Sequence, residues 1–348
     1  NQIIYKHTRF IMDNKTIKQY WTRLGFDPRT GAVNHQYIKD PAITSFYNNL
    51  VISGEDLYID HLDFLDVFTK WITDSQYYNF DFIDWQEHVV RTQFECYSEA
   101  RWRYRDRRLR IFRGEYEYMQ DSFFCTGEYF DSAPTDVRQF PYIKYIDSLT
   151  GKYFDLDRDD WVFLTIPFHG TGDVDEKIEG MLNQADLLDI PVVVDCQLLP
   201  FSRDINIDFS RPSIKEVIFT IGDNIGIRQV YGGVRYSRYT IEDDHGFNGQ
   251  EGSPYIRALS GNYAISEIEM ACAIKILEEF SIDYLYNTYR KTQLQICKDF
   301  NLTPTNCVNL CTAPDEEPWL SEWHRLNAYM LVDISHALSL KINNRYNI

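Results

Sequence analysis

The sequence predicts an α/β chain, in which a mostly parallel sheet with helices on both faces is followed by a smaller, mainly helical α+β unit. Three observations predict it. Short apolar, β-branched runs alternate with helical patterns through the middle of the chain. An amphipathic stretch lies between two of those runs, as a crossover helix would. Beyond residue 255 the pattern changes to long helices. With 348 residues, 44% of them hydrophobic and 16% aromatic, the chain is too long for one small core and has ample material to bury.

Residues 1–70 read as an amino-terminal arm. Its helical part, 61–71, carries Leu62, Phe64, Leu65, Phe68 and Trp71 at spacings of three and four. Residues 71–255 read as the large domain, with strands at 109–112, 161–166, 191–194 and 216–221. Between the second and third, Val174, Ile178, Met181, Leu182, Ala185 and Leu188 share one helical face, and Asp173 and Glu176 stand where a capping box would begin it. Unbroken apolar strands joined by crossover helices make a parallel sheet covered on both faces. Such sheets bind ligands at the carboxyl ends of their strands. Residues 256–348 read as the small domain, with helices at 266–280 (Ile268, Ala271, Ile274, Ile276 and Leu277 at helical spacing) and at 284–300.

Charge narrows the partners. A formal net charge of -17 repels phosphate backbones and anionic membrane surfaces, so neither nucleic acid nor membrane is expected. The one basic stretch, 101–110, interleaves arginines with Trp102 and Tyr104 as a surface tracking a phosphate strand could, but it reads rather as a solvated, basic helix end leading into a strand, where cations complement the helix dipole. Seven cysteines without a Cys-x-x-Cys indicate neither a disulfide framework nor a zinc ribbon. With no apolar run near the ~20 residues of a membrane span and no signal-peptide pattern, a cytoplasmic location is expected. No metal is expected either: His169, Asp173, Asp243, Asp244 and His245 match no zinc or iron spacing, and 243–245 reads as an acidic loop.

Polar or glycine-rich elements follow three of the strands. Ile166 leads into Pro167-Phe168-His169-Gly170-Thr171-Gly172, Val194 into Asp195, and Ile221 into Gly222-Asp223-Asn224, with Gly233-Val234-Arg235 a few residues on. Singly, each reads as turn, cap or salt-bridge chemistry. In this order they resemble the fold-type I pyridoxal-phosphate enzymes, the aspartate-aminotransferase-like superfamily. That family places Asn-Pro-x-Asn-Pro-Thr-Gly, a strand ending in Asp, Ser-x-Ser-Lys and Gly-x-Arg along the chain in the same succession. Upstream, Gly114-Glu115-Tyr116 is similar to the family's Pro-x-Tyr segment.

The resemblance implies a cofactor site. Tyr116 would stack on the pyridine ring, Asp195 would pair with the ring nitrogen, Arg235 would meet the phosphate and His169 would bond the ring oxygen. It also implies a homodimer. The departure concerns the chemistry: Asp223 stands where the family keeps its Schiff-base lysine, and a carboxylate can move a proton but cannot condense with an aldehyde. Its charge would also oppose the phosphate, since like charges ~4 Å apart cost on the order of 4 kcal/mol at a typical effective dielectric. Lys215 precedes its strand and is no substitute, and Arg325 is a guess for a substrate-carboxylate partner.

Three expectations follow. The first is an aminotransferase-like protein without ordinary transaminase activity that binds a phosphorylated or pyridoxal-like ligand non-covalently, with an amino-acid-like or amino-sugar-like small molecule as its partner. The second is an enzyme that takes pyridoxal or pyridoxamine phosphate without a lysine and uses Asp223 or His169 as proton shuttle. The third is a non-catalytic binding or assembly protein.

Overall fold

The computed structural model describes residues 38–104, 107–112, 143–146, 156–167, 172–174, 178–221, 225, 230–238, 265–312 and 331–342. The first helix, α1 (Pro41–Asn48), begins at Asp40, whose carboxylate accepts the Ile43 N–H at 2.8 Å, with proline in the first turn where no N–H is needed. Helix α2 (His61–Thr73) is the expected amphipathic one. Asp60 and Asp63 close a capping box at its start, and Phe64, Leu65, Phe68, Trp71 and Ile72 are buried.

Among the described residues the sheet has seven strands: β1 (Gln86–Val90), β2 (Arg108–Phe112), β3 (Ile143–Ile146), β4 (Asp160–Thr165), β5 (Val192–Asp195), β6 (Ile214–Thr220) and β7 (Gly233–Ser237), in the order β1-β7-β6-β5-β4-β2-β3. Strands β3, β2, β4, β5 and β6 pair in parallel, and β7 runs antiparallel to both β6 and β1. The four expected strands are present within one or two residues at each end. β1, β3 and β7 were not expected, and Lys215 falls inside β6 rather than before it.

Helix α3 (Gln93–Arg103) crosses one face, over Val90, Leu109, Trp161, Phe163, Val193 and Ile218. The basic stretch is therefore a helix end leading into a strand. Three of its arginines serve the fold, and Arg103 and Arg110 are largely withdrawn from solvent rather than solvated: Arg108 Nε and Arg110 Nη1 each reach an oxygen of the fully buried Asp160 at 2.6 Å, and Arg103 Nη2 reaches Glu99 at 2.9 Å.

The opposite face carries α2, α4 (Ile178–Leu188), α5 (Glu267–Glu279) and α6 (Tyr284–Phe300). Ile178, Met181, Leu182 and Ala185 are buried as the helical face requires, while Ile268, read with the apolar spacing of α5, is exposed. Asp173 accepts the Asn306 N–H at 3.1 Å, and Glu176 lies outside the described residues. A small antiparallel sheet of β8 (Thr303–Pro304), β9 (Leu310–Thr312) and β10 (Leu331–Asp333), with helix α7 (Ser335–Ile342), completes the described chain. The core on this face is continuous from α1 to α7. Trp71 Nε1 donates to Phe280 O at 2.8 Å, and the Tyr289 hydroxyl donates to Asp40 at 2.7 Å, so the amino-terminal helices are bonded to the carboxyl-terminal ones. No helix among the described residues is long and apolar enough to cross a membrane.

Candidate functional site

Because β4, β5 and β6 are parallel, their carboxyl ends share one edge. Thr165 lies opposite Asp195, and Asp195 opposite Ile218. β1 ends on the same side, with Val90 opposite Gly233, which also faces Thr220. Open α/β sheets bind ligands at such an edge. Strand alternation turns Thr165, Asp195, Thr220 and Arg235 toward α3, since each lies two residues along from, or directly opposite, an apolar residue packed beneath that helix.

Asp195 is fully buried. It accepts a hydrogen bond from the Tyr97 hydroxyl and another from the Gln197 N–H at 2.9 Å. Tyr97 comes from α3, is itself fully buried, and meets Phe163 edge-on with ring centroids 4.8 Å apart. The strand-end carboxylate is thus held in a fixed orientation by a rigid phenol.

Arg235 sits in the same row, opposite Ile218 on β6 and His88 on β1. It is 4% exposed and ion-paired with Glu99 of α3. Glu99 also receives Arg103, whose Nε lies 3.8 Å from the buried Glu216. Two guanidinium groups and two carboxylates therefore balance one another under the helix. Burial pushes the Glu99 carboxyl up, but Arg235 and Arg103 outweigh it and hold it below its ordinary value. Burial first, and Arg235 second, push His88 down to about 4, and its Nε2 lies 3.1 Å from Ser237 Oγ.

Arg91, at the end of β1, is 42% exposed. Its Nε and Nη2 donate to Glu269 at 3.0 and 2.9 Å, and its guanidinium lies 4.5 Å from the centre of the Tyr231 ring. Its N–H donates to Glu95 Oε2 at 2.9 Å, so a carboxylate of the chain occupies the start of α3. Two glycines of the motifs are required by close approach. A Cβ at Gly233 would strike Phe219 O and lie 2.7 Å from Thr220 Cγ2, and Gly172, at φ +66, lies against Thr305.

The structure therefore brings Asp195 and Arg235 into one row. Tyr116, His169 and Asp223 lie outside the described residues, as do Arg325, Asp243, Asp244 and His245. Lys215 is at the amino end of β6, 3.7 Å from Asp189, far from the carboxyl edge. Tyr97, Glu99 and Arg91 were not foreseen. All three act through partners distant in sequence; Tyr97 and Asp195, for instance, are 98 positions apart.

No protein-family model matches the chain. No curated protein matches it. Solved structures do. Cystalysin from Treponema denticola, which contains a pyridoxal 5'-phosphate cofactor, superposes with a TM-score of 0.61 at 11% identity, covering 99% of this chain and 98% of that one. A protein of Escherichia coli with a methionine aminotransferase function gives 0.56 at 12% identity, over 99% of this chain and 100% of that one. The histidinol-phosphate aminotransferase from Clostridium acetobutylicum gives 0.54 at 12% identity, over 89% and 98%. The chain has the α/β fold of these proteins, and at such identities the likeness concerns the fold.

The donor set can be matched against that cofactor. Asp195 suits a protonated ring nitrogen: it is a dry carboxylate at a strand end whose orientation is fixed by Tyr97 and Gln197. For a phosphate, Arg235 is a described cation in the same row, and Glu99 shares its charge.

Proposed function

We propose that this protein binds a phosphorylated, pyridoxal-like ligand non-covalently at the carboxyl edge of β4, β5 and β6, and does not carry out ordinary transamination. The observation that carries the reading is Asp195, a fully buried carboxylate at the ligand-binding edge of an aminotransferase-like sheet. Bound there, the cofactor supplies an electron-withdrawing ring. Asp195 pairs with the ring nitrogen and keeps it protonated. Tyr116 covers the ring face, His169 donates toward the ring oxygen, and Arg235 offsets the phosphate charge. Asp223, in the place of the family's lysine, can accept or return a proton but provides no covalent anchor. In this reading the 71–255 segment carries the site, and the protein works as a cytoplasmic homodimer on an amino-acid-like or amino-sugar-like partner.

The test compares wild type, Asp195→Asn and Asp223→Lys by titration with pyridoxal phosphate, followed by borohydride reduction and peptide mapping. Wild type is expected to bind saturably with no stoichiometric adduct. Asp195→Asn loses a charge-assisted hydrogen bond, so its affinity should fall roughly tenfold or more. Asp223→Lys should gain a visible absorbance band and a label at position 223. Absence of saturable binding by wild type would sink the proposal, as would an adduct on Lys215 or a folded Asp223→Lys that takes no label. Amine transfer from pyridoxamine phosphate by wild type would overturn the part of the proposal that denies ordinary transamination.

A further inference from the structure

We propose that Cys297 and Cys311 form a redox-active pair that closes a reversible disulfide between α6 and β9. Their Sγ atoms lie 3.0 Å apart, and the two residues are 2% and 0% exposed. The surroundings fix this approach. Gln293, one turn before Cys297 on α6, donates its amide to the carbonyls of Cys307 and Leu310 at 2.8 and 2.9 Å and reaches Cys311 Sγ at 3.9 Å. Thr305 Oγ1 bonds the same two carbonyls at 2.9 and 2.8 Å. The turn that delivers Cys311 is therefore tied to the helix that carries Cys297. Cys307, though nearby, gives its S–H to Asn309 Oδ1 at 2.8 Å.

The pair is chemically asymmetric. The hydrogen bond from Cys311 pulls the Cys297 thiol below its ordinary value against the effect of burial, and Arg290 assists, whereas burial raises Cys311. With hydrogen peroxide as oxidant, the Cys297 thiolate attacks one peroxide oxygen. The O–O bond breaks, one water leaves after protonation, and Cys297 carries a sulfenic acid. Cys311 then attacks that sulfur; the S–S bond forms, the S–O bond breaks, and its proton leaves with the second water. Two thiols and one peroxide become one disulfide and two waters.

The bond would reach the edge described above. The 305–310 turn packs against the loop after β4, where Asn306 N–H donates to Asp173 at 3.1 Å and Gly172 lies against Thr305. In a reducing compartment such a bond is transient and reports oxidant exposure.

The test uses the full chain, treated with hydrogen peroxide or with dithiothreitol, alkylated in denaturant and digested with trypsin without reduction. Cleavage after Lys298 separates the two cysteines. The oxidised sample should therefore give peptides 292–298 and 299–325 joined, lighter by two hydrogens than their reduced sum, and dithiothreitol should part them. Cys307 lies in the second peptide, so Cys307→Ser must keep the link while Cys311→Ser and Cys297→Ala each abolish it. Peroxide should also raise the melting temperature of wild type by a few degrees but not that of Cys297→Ala. Alkylation of both Cys297 and Cys311 after peroxide treatment would overturn the proposal. So would a link that persists without Cys311 and is lost in Cys307→Ser.

Discussion

Neighbouring residues of β7 point into different chemistry. Arg235 turns toward α3 and meets Glu99, while Tyr236 turns to the other face and stacks on Phe82 with ring centroids 3.9 Å apart. The same alternation runs across the sheet. Between α3 and the sheet lie Asp195, Glu99, Arg103, Glu216 and His88 among a small apolar cluster, whereas the other face is filled by Phe64, Phe68, Phe80, Phe82, Phe219 and their neighbours. An apolar face loses only contacts when a side chain is trimmed. A face of mutually neutralised charges loses its balance, because each remaining ion stays buried. The candidate ligand edge lies on the charged face, which is where a bound ionic group could be matched by groups already held dry.

The largest expected effect tests that balance. Glu99→Ala leaves the buried Arg235 and the partly buried Arg103 without the carboxylate between them, so urea denaturation should show a loss of about 3–5 kcal/mol. A loss below about 1 kcal/mol, within the range of an exposed ion pair, would mean that the face beneath α3 is as tolerant as the other.

His88 should give a smaller effect that depends on pH. Its folded pKa, about 4, lies below the ordinary 6.5, so on acidification the unfolded chain takes up the proton first. Stability is therefore whole above pH 6.5, falls as pH drops from 6.5 toward 4, and loses nothing further from this group below that; the full excursion is at most about 3 kcal/mol. His88→Gln should flatten the stability profile in that window. If the profile of wild type is already flat there, His88 is not held neutral by burial and Arg235.

The contrast between faces also decides what the sequence reveals. β4, β5 and β6 are near-continuous apolar runs because both their faces are covered, and they were legible from pattern alone. β1 begins Gln86-Glu87-His88, and β7 buries Arg235 and Ser237, so neither reads as an apolar strand. Helix α3 turns Tyr97 and Glu99 inward, which breaks the apolar periodicity that marks α2. Asp195 was singled out only by its place in the succession of strand-end motifs, because alone a carboxylate after a Val-Val-Val run reads as a cap or loop residue. Its phenol partner was not, since nothing local in α3 points to a strand 98 positions later.

The smallest expected effect tests the apolar side at the position next to Arg235. The Tyr236 hydroxyl lies 2.8 Å from Thr69 Oγ1, and Thr69 in turn donates to Glu87 Oε1 at 3.1 Å. The single Thr69 proton is thereby used on Glu87, so Tyr236 must be the donor to Thr69. Removing that donor in Tyr236→Phe leaves Thr69 with its own bond intact and only a spare acceptor lone pair. The ring keeps its stacking on Phe82 and its edge contact with Phe219. The cost should therefore be that of one ordinary hydrogen bond, about 0.5–1.5 kcal/mol by urea denaturation. If it instead matched Glu99→Ala, the polar tips on this face would matter as much as the buried ions on the other. The division between a tolerant apolar face and a charge-balanced one would then fail at the residue pair that displays it most directly.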